Sequence, residues 1–194
     1  MPTVANTPIK ICSRASLLIG GDAIQSFEDG TAEASVSSAM YEDMARSALT
    51  NSRWRFATDQ QVLARLADKP TGRFEAAYQL PSEMIMLSAI TVNEVPIKYD
   101  LYGLKVFCNE PDTSEVVADY VFRADESTWP PYFTTAVEYM MAGVLAISVA
   151  RDSSLSSLME QKADYQMRQA RRLHSQQQTT RKLNTSRFIA ERRS

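Results

Sequence analysis

The side chains able to do chemistry are few and scattered. One histidine, His174, sits near the end of an arginine-rich segment. A single imidazole excludes a histidine-rich metal site and disfavours a Ser-His-Asp hydrolase. It reads as a solvated face residue or a favourable charge at a helix C-terminus. Two cysteines, Cys12 and Cys108, stand far apart without companions, so they form no metal-ligand pattern. Cys12 lies in an apolar stretch and reads as a buried free thiol. Asp22, Glu28 and Asp29 are close enough in sequence to suggest paired carboxylates. They precede a helical stretch, however, where acids serve caps and the helix dipole. Gly20-Gly21 and Gly30 make neither a dinucleotide nor a P-loop motif, and no Gly-Lys-Ser/Thr occurs. No catalytic residue, metal ligand or cofactor site is assigned.

The elements that carry these residues follow from periodicity and punctuation. Thr7-Pro8 has the form of an N-cap with proline at the first helical position. Ile11, Ala15, Leu18 and Ile19 share a face, and Gly20-Gly21 stops the helix. A second helix is expected from a Thr31 cap to about Asn51. Its apolar stripe is Met40, Tyr41, Met44, Ala45 and Ala48. Trp54 and Phe56 follow at once and should plug the end of a helical core.

From Gln61 the pattern changes. The run Val62 to Leu66 fits a strand or a short helix, and Lys69-Pro70-Thr71-Gly72 is a turn. Met84 to Val92, Val95 to Tyr99, Leu101 to Asn109 and Glu115 to Arg123 predict three to five short antiparallel strands. Trp129-Pro130-Pro131 opens a new helix, Phe133 to Ala150, apolar nearly all round. A membrane span needs roughly twenty apolar residues. This run is marginal in length and carries Glu138, so it reads as a central buried helix with Met140, Val144 and Ile147 in the core. Ser157 and Glu160 have capping-box spacing before a last helix. Leu155, Met159, Ala163, Gln166, Ala170 and Leu173 form that helix's stripe.

The expected class is α+β, mainly α. A helical bundle from 1–59 and 126–178 forms one discontinuous domain. Residues 60–125 form a small antiparallel β-rich insertion, and 179–194 an extended basic C-terminal arm. Charge supports the last division. From Arg168 onward eight basic residues accompany one acid, a net of +7, against −9 for the preceding chain. The arm ends in Arg187-Phe188-Ile189 with Arg192 and Arg193, a polar tether closing in an apolar-basic plug. Such an arm is either a docking segment that pairs with something negative, nucleic acid or an acidic protein surface, or a disordered solubilising tail. Its arginines lack aromatic interleaving for stacking on single strands, and the acidic body disfavours wrapping DNA. Met1 to Pro8 is polar and short, unlike a signal peptide, which predicts synthesis in a reducing cytoplasm.

One arrangement organises these segments. Ile11-Cys12-Ser13-Arg14-Ala15 to Ile19-Gly20, then Ile24 to Ala34, a long helix, and Ser52-Arg53-Trp54-Arg55-Phe56-Ala57 form an ordered block. Tyr78-Gln79-Leu80-Pro81 with Glu83, Asp119-Tyr120-Val121-Phe122-Arg123, and Trp129-Pro130-Pro131-Tyr132-Phe133 follow. Together, over about residues 8 to 176, they resemble the tail tubular protein A family of bacteriophage head-to-tail adaptors. The region Asn93 to Glu115 is not diagnostic. The resemblance implies a structural virion protein, not an enzyme, in a ring usually of twelve copies at the head–tail junction. Its partners would be the portal protein, further copies of itself, and the tail nozzle or tail tube protein. Genomic DNA would pass through the channel without specific binding, repelled by a negative lumen. Arg187, Phe188, Ile189, Arg192 and Arg193 would dock on the portal. The alternative is a small nucleic-acid-binding protein using the basic arm.

Overall fold

The computed structural model describes residues 6–68 and 70–177. It is α+β, with four helices and two small antiparallel sheets. The helix α1, Pro8–Leu18, starts where the Thr7 hydroxyl accepts the Lys10 N–H at 3.3 Å, with Pro8 in the first turn. It stops at Gly20, whose φ of 82° is left-handed and costs glycine nothing. A Cβ on the next residue, Gly21, would stand 2.6 Å from the Ser16 hydroxyl, so the chain reverses there through a gap only hydrogen fits. The Asp29 carboxylate accepts the N–H groups of Gln25 at 2.8 Å and Ser26 at 2.9 Å, and so closes the following loop. The helix α2, Ala32–Thr50, is capped by the Thr31 hydroxyl, which accepts from the Ala34 N–H at 3.2 Å.

Among the described residues eight strands follow, five of them in Met84 to Arg123, where three to five were expected, and three before it. They are β1 Thr58–Val62, β2 Ala64–Arg65, β3 Ala76–Gln79, β4 Met84–Val92, β5 Val95–Pro96, β6 Asp100–Tyr102, β7 Lys105–Cys108 and β8 Val116–Phe122. Several span only two to four residues, too short for any periodicity to mark. One sheet has the order β1-β8-β4-β5 and the other β2-β3-β7-β6. The run Val62 to Leu66, open between strand and helix, is two strands broken at Leu63, whose side chain is buried between them. Both sheets contribute to one apolar cluster that includes Tyr78, Ile90, Val106, Val116, Ala118 and Tyr120.

Alternation on β8 divides its side chains between two cores. Val116, Ala118 and Tyr120 enter the sheet cluster, while Val121 belongs to the helical one. Phe122 packs against both.

The helix α3, Pro131–Ser148, is the centre of the helical layer. It packs along the helix α4, Ser153–Gln176, and also against α1 and α2. Phe133, Ala136, Val137, Met141, Ala142 and Leu145 are fully buried. The expected core triplet needs correction. Met140 and Val144 are only partly buried, and Ile147 is 50% exposed. Ile147 lies in the last turn of α3, just before the chain reverses into α4, where cover runs out.

The start of α4 also differs from the expected capping box at Ser157 and Glu160. Asp152 is the cap, its carboxylate accepting from the Ser154 and Leu155 N–H groups at 2.9 and 3.0 Å. The buried line is accordingly Ser156, Met159, Ala163, Met167, Ala170 and His174. Leu173 is 44% exposed, because the helix turns His174 inward in its place. Leu18 and Met40, expected on the apolar stripes of α1 and α2, are likewise 39% and 40% exposed.

Candidate functional site

The residues that join the layers are best taken from the aromatic centre outward. Trp54 is fully buried beyond the end of α2, and its indole N–H donates to the Ala48 carbonyl at 3.0 Å. Phe133, in the first turn of α3, receives three rings. Trp54 meets it at 5.1 Å, Phe56 at 5.0 Å and Trp129 at 4.9 Å between centroids, all edge-on. Such geometry aligns positive ring edges with negative ring faces. The indole N–H of Trp129 is satisfied by the Ala124 carbonyl at 3.0 Å. Trp54 and Phe56 therefore do plug the helical core, Phe56 from a partly buried position.

His174 completes this centre, contrary to its expected place on a solvated face. It is buried, its Nε2 accepting the Arg55 backbone N–H at 3.3 Å, and its ring stands edge-on to Trp54. Burial holds its pKa below the ordinary histidine value, and the Arg55 charge adds to that. The imidazole is a neutral packing group. The signal that could have placed it is spacing: position 174 continues the buried line of α4.

A second junction is ionic. Glu126 is buried in a short 3-10 turn, Glu126–Thr128, that follows β8. The Tyr41 hydroxyl of α2 donates to it at 3.0 Å, and the Arg123 guanidinium pairs with it. Arg123 also pairs with Glu42 at 3.1 Å and stacks over Trp129 at 5.5 Å. Burial, followed by the Glu126 charge, pushes the Tyr41 hydroxyl far above its ordinary range, so it stays a donor. This cluster bolts α2 to the exit of the sheet layer. A buried carboxylate here has the design of a structural clamp, with both its partners already engaged.

The thiols are similarly quiet. Burial pushes Cys12 up to about 12 and also raises Cys108, so neither forms a thiolate near neutral pH. Among the described residues no group of three or more His, Cys, Asp or Glu is placed to hold a metal ion. No helix among them is long and apolar enough to cross a membrane.

What the described surface offers instead is exposed apolar side chains. Leu17 on α1 is 57% exposed. Leu158 and Tyr165 on α4 are 46% and 54% exposed. The hairpin joining β6 and β7 carries exposed Leu101, Tyr102 and Leu104. Beside it lies a cleft of about 680 Å³ lined by Phe74, Tyr102 and Phe107 with Arg73 and Lys105. A more polar cleft of about 590 Å³ lies along β1, lined by Arg53, Arg55, Asp59 and Asp119. Its charges balance, and Arg53 already faces Asp119 at 3.6 Å. The five expected docking residues, Arg187, Phe188, Ile189, Arg192 and Arg193, lie outside the described residues.

No protein-family model matches this chain, and no curated protein sequence matches it.

Proposed function

We propose that this chain is a structural, non-enzymatic ring subunit of a phage virion, a head-to-tail adaptor between portal and tail. In this reading the four helices form a bundle that makes the ring wall. The sheet layer meets a neighbour or the next tail ring, and the C-terminal arm grips the portal. The subunit is made in the bacterial cytoplasm and ends at the head–tail junction. About twelve copies of it enclose a channel through which DNA slides.

One observation carries the proposal. The separated segments on which the family resemblance rests meet in space. Trp54 and Phe56 from the first block converge with Trp129 and Phe133 from the fourth in one ring cluster. Glu83 of the second block accepts the hydroxyl of Tyr120, in the third, at 3.1 Å.

The deciding experiment is co-sedimentation of the full chain with portal rings. A fixed, ring-like stoichiometry supports the adaptor reading. Absence of binding at every salt concentration overturns it. Tight, strongly salt-dependent binding of DNA by the monomer would favour the nucleic-acid alternative, whose support is the basic composition of the arm.

A further inference from the structure

The helix α4 has an apolar ridge that no described residue covers. Leu158 and Tyr165 stand two turns apart, on the side of α4 away from its buried line, and Leu173 flanks them. Basic residues surround the ridge. Arg168, Arg171 and Arg172 are exposed and make no ion pair among the described residues.

The outer face of α2 is its opposite in shape and sign. A hollow of about 440 Å³ is lined there by Phe27, Glu28, Ser35, Ser38 and Ala39. Asp43, one turn beyond Ala39, is exposed, as are Glu28 and Met40. The two faces belong to separate flanks of α3, since α4 packs extensively along α3 and makes no comparable contact with α2.

We propose that the ridge of α4 docks into the α2 hollow of a second copy of this chain. Tyr165 enters beside Ala39, with Leu158 and Leu173 on either side. Arg168 and Arg172 meet Asp43 and Glu28 around the rim. A tyrosine buries about 150–250 Å² and suits the centre of such a contact. Two unlike, complementary faces on one subunit define a head-to-tail interface, which closes into a ring when the rotation allows. A 24-residue helix is about 36 Å long, enough to carry a standard-sized contact. The pairing rests on the ring reading above, and names the surfaces that reading needs.

The test uses full-length chains, free and co-sedimented with portal rings, under mild oxidation. The native Cys12 and Cys108 are buried and do not compete. One chain carries Ala39→Cys and another Tyr165→Cys. Mixed, they should give a covalent dimer, while each alone stays uncrosslinked. A chain carrying both should give a ladder of dimers, trimers and higher species. Leu158→Asp in that background places an acid against an acidic rim and should cut the ladder at least tenfold, with an unchanged melting temperature.

Dimers from Tyr165→Cys alone would mean the ridge meets itself, which overturns the proposal. Rings visible by electron microscopy without a ladder overturn it too, while the adaptor reading stands. A ladder on chains that never join portals keeps the pairing and removes the adaptor reading. If cross-linking appears only after removal of residues 178–194, the ridge is covered by the chain's own terminal segment and the proposal fails.

Discussion

His174 meets the indole of Trp54 edge-on with ring centroids 5.3 Å apart, so the one imidazole of the chain is a wall of its aromatic centre. Its folded pKa lies below the ordinary 6.5 because burial disfavours the cation. The unfolded chain therefore binds a proton first as pH falls. Stability from this group is full above the unfolded value and is lost as pH drops below it toward the folded one. Melting temperatures measured across that window should decline in the wild type. In His174→Gln the decline should flatten, on a lower plateau.

The Ser156 hydroxyl donates to the Gly143 carbonyl at 2.9 Å, linking α4 to α3. A Cβ on Gly143 would stand 3.3 Å from the Glu160 side chain. Gly143→Ala should be nearly neutral, since about 1 kcal/mol of helix propensity offsets the tight contact. Gly143→Leu should lose about 1–3 kcal/mol by prising the helices apart. Ser156→Ala should cost about 1 kcal/mol. Urea titration of the three variants gives the ordering.

Core position on α3 can be read by truncation. Leu145→Ala should cost about 2–5 kcal/mol, because Leu145 is fully buried. Ile147→Ala should cost well under 1 kcal/mol at its half-exposed site. Equal losses at the two positions would mean that Ile147 is covered in solution by another chain.

Arg123→Met removes the cation beside buried Glu126 while keeping most of the stem that packs on Trp129. The stranded carboxylate should cost roughly 2–4 kcal/mol, less than a fully buried pair because Arg123 is partly exposed. Adding Glu126→Gln should recover much of the loss. A double-mutant cycle from thermal melts measures the coupling.

Deletion of residues 181–194 addresses the basic arm. The remaining chain should melt at an almost unchanged temperature yet fail to attach to portals. On the adaptor proposal a single arm should bind weakly and a ring of arms should supply the avidity. Normal attachment by the truncated chain would make the arm a passive tail.

Some of this was legible in the residues. Thr7-Pro8, Gly20 and Thr31 marked helix ends because caps and stops are local chemistry. Trp54 and Phe56 were legible because two large aromatic residues directly after an amphipathic helix have few places to go. Strands of two or three residues, such as β2 and β5, were not legible, since they exist only through their partners. The inward turn of His174 was missed because a basic neighbourhood suggested solvent. The Tyr41–Glu126–Arg123 cluster was also missed. Its members are 85 and 82 positions apart in sequence and only topology joins them. Ile147 was misplaced because composition marks a helix as buried without saying where its cover ends.

The placement of the two tryptophans makes the molecule its own spectroscopic probe. Trp54 and Trp129 both flank Phe133, and the sheet cluster contains no indole. Intrinsic tryptophan emission thus reports the opening of the helical layer alone, whereas far-ultraviolet dichroism sees both layers. Coincident midpoints from the two signals would show that the strands and helices unfold as one cooperative unit. A dichroism change that precedes the emission shift would show the sheets letting go first, with the aromatic centre still closed.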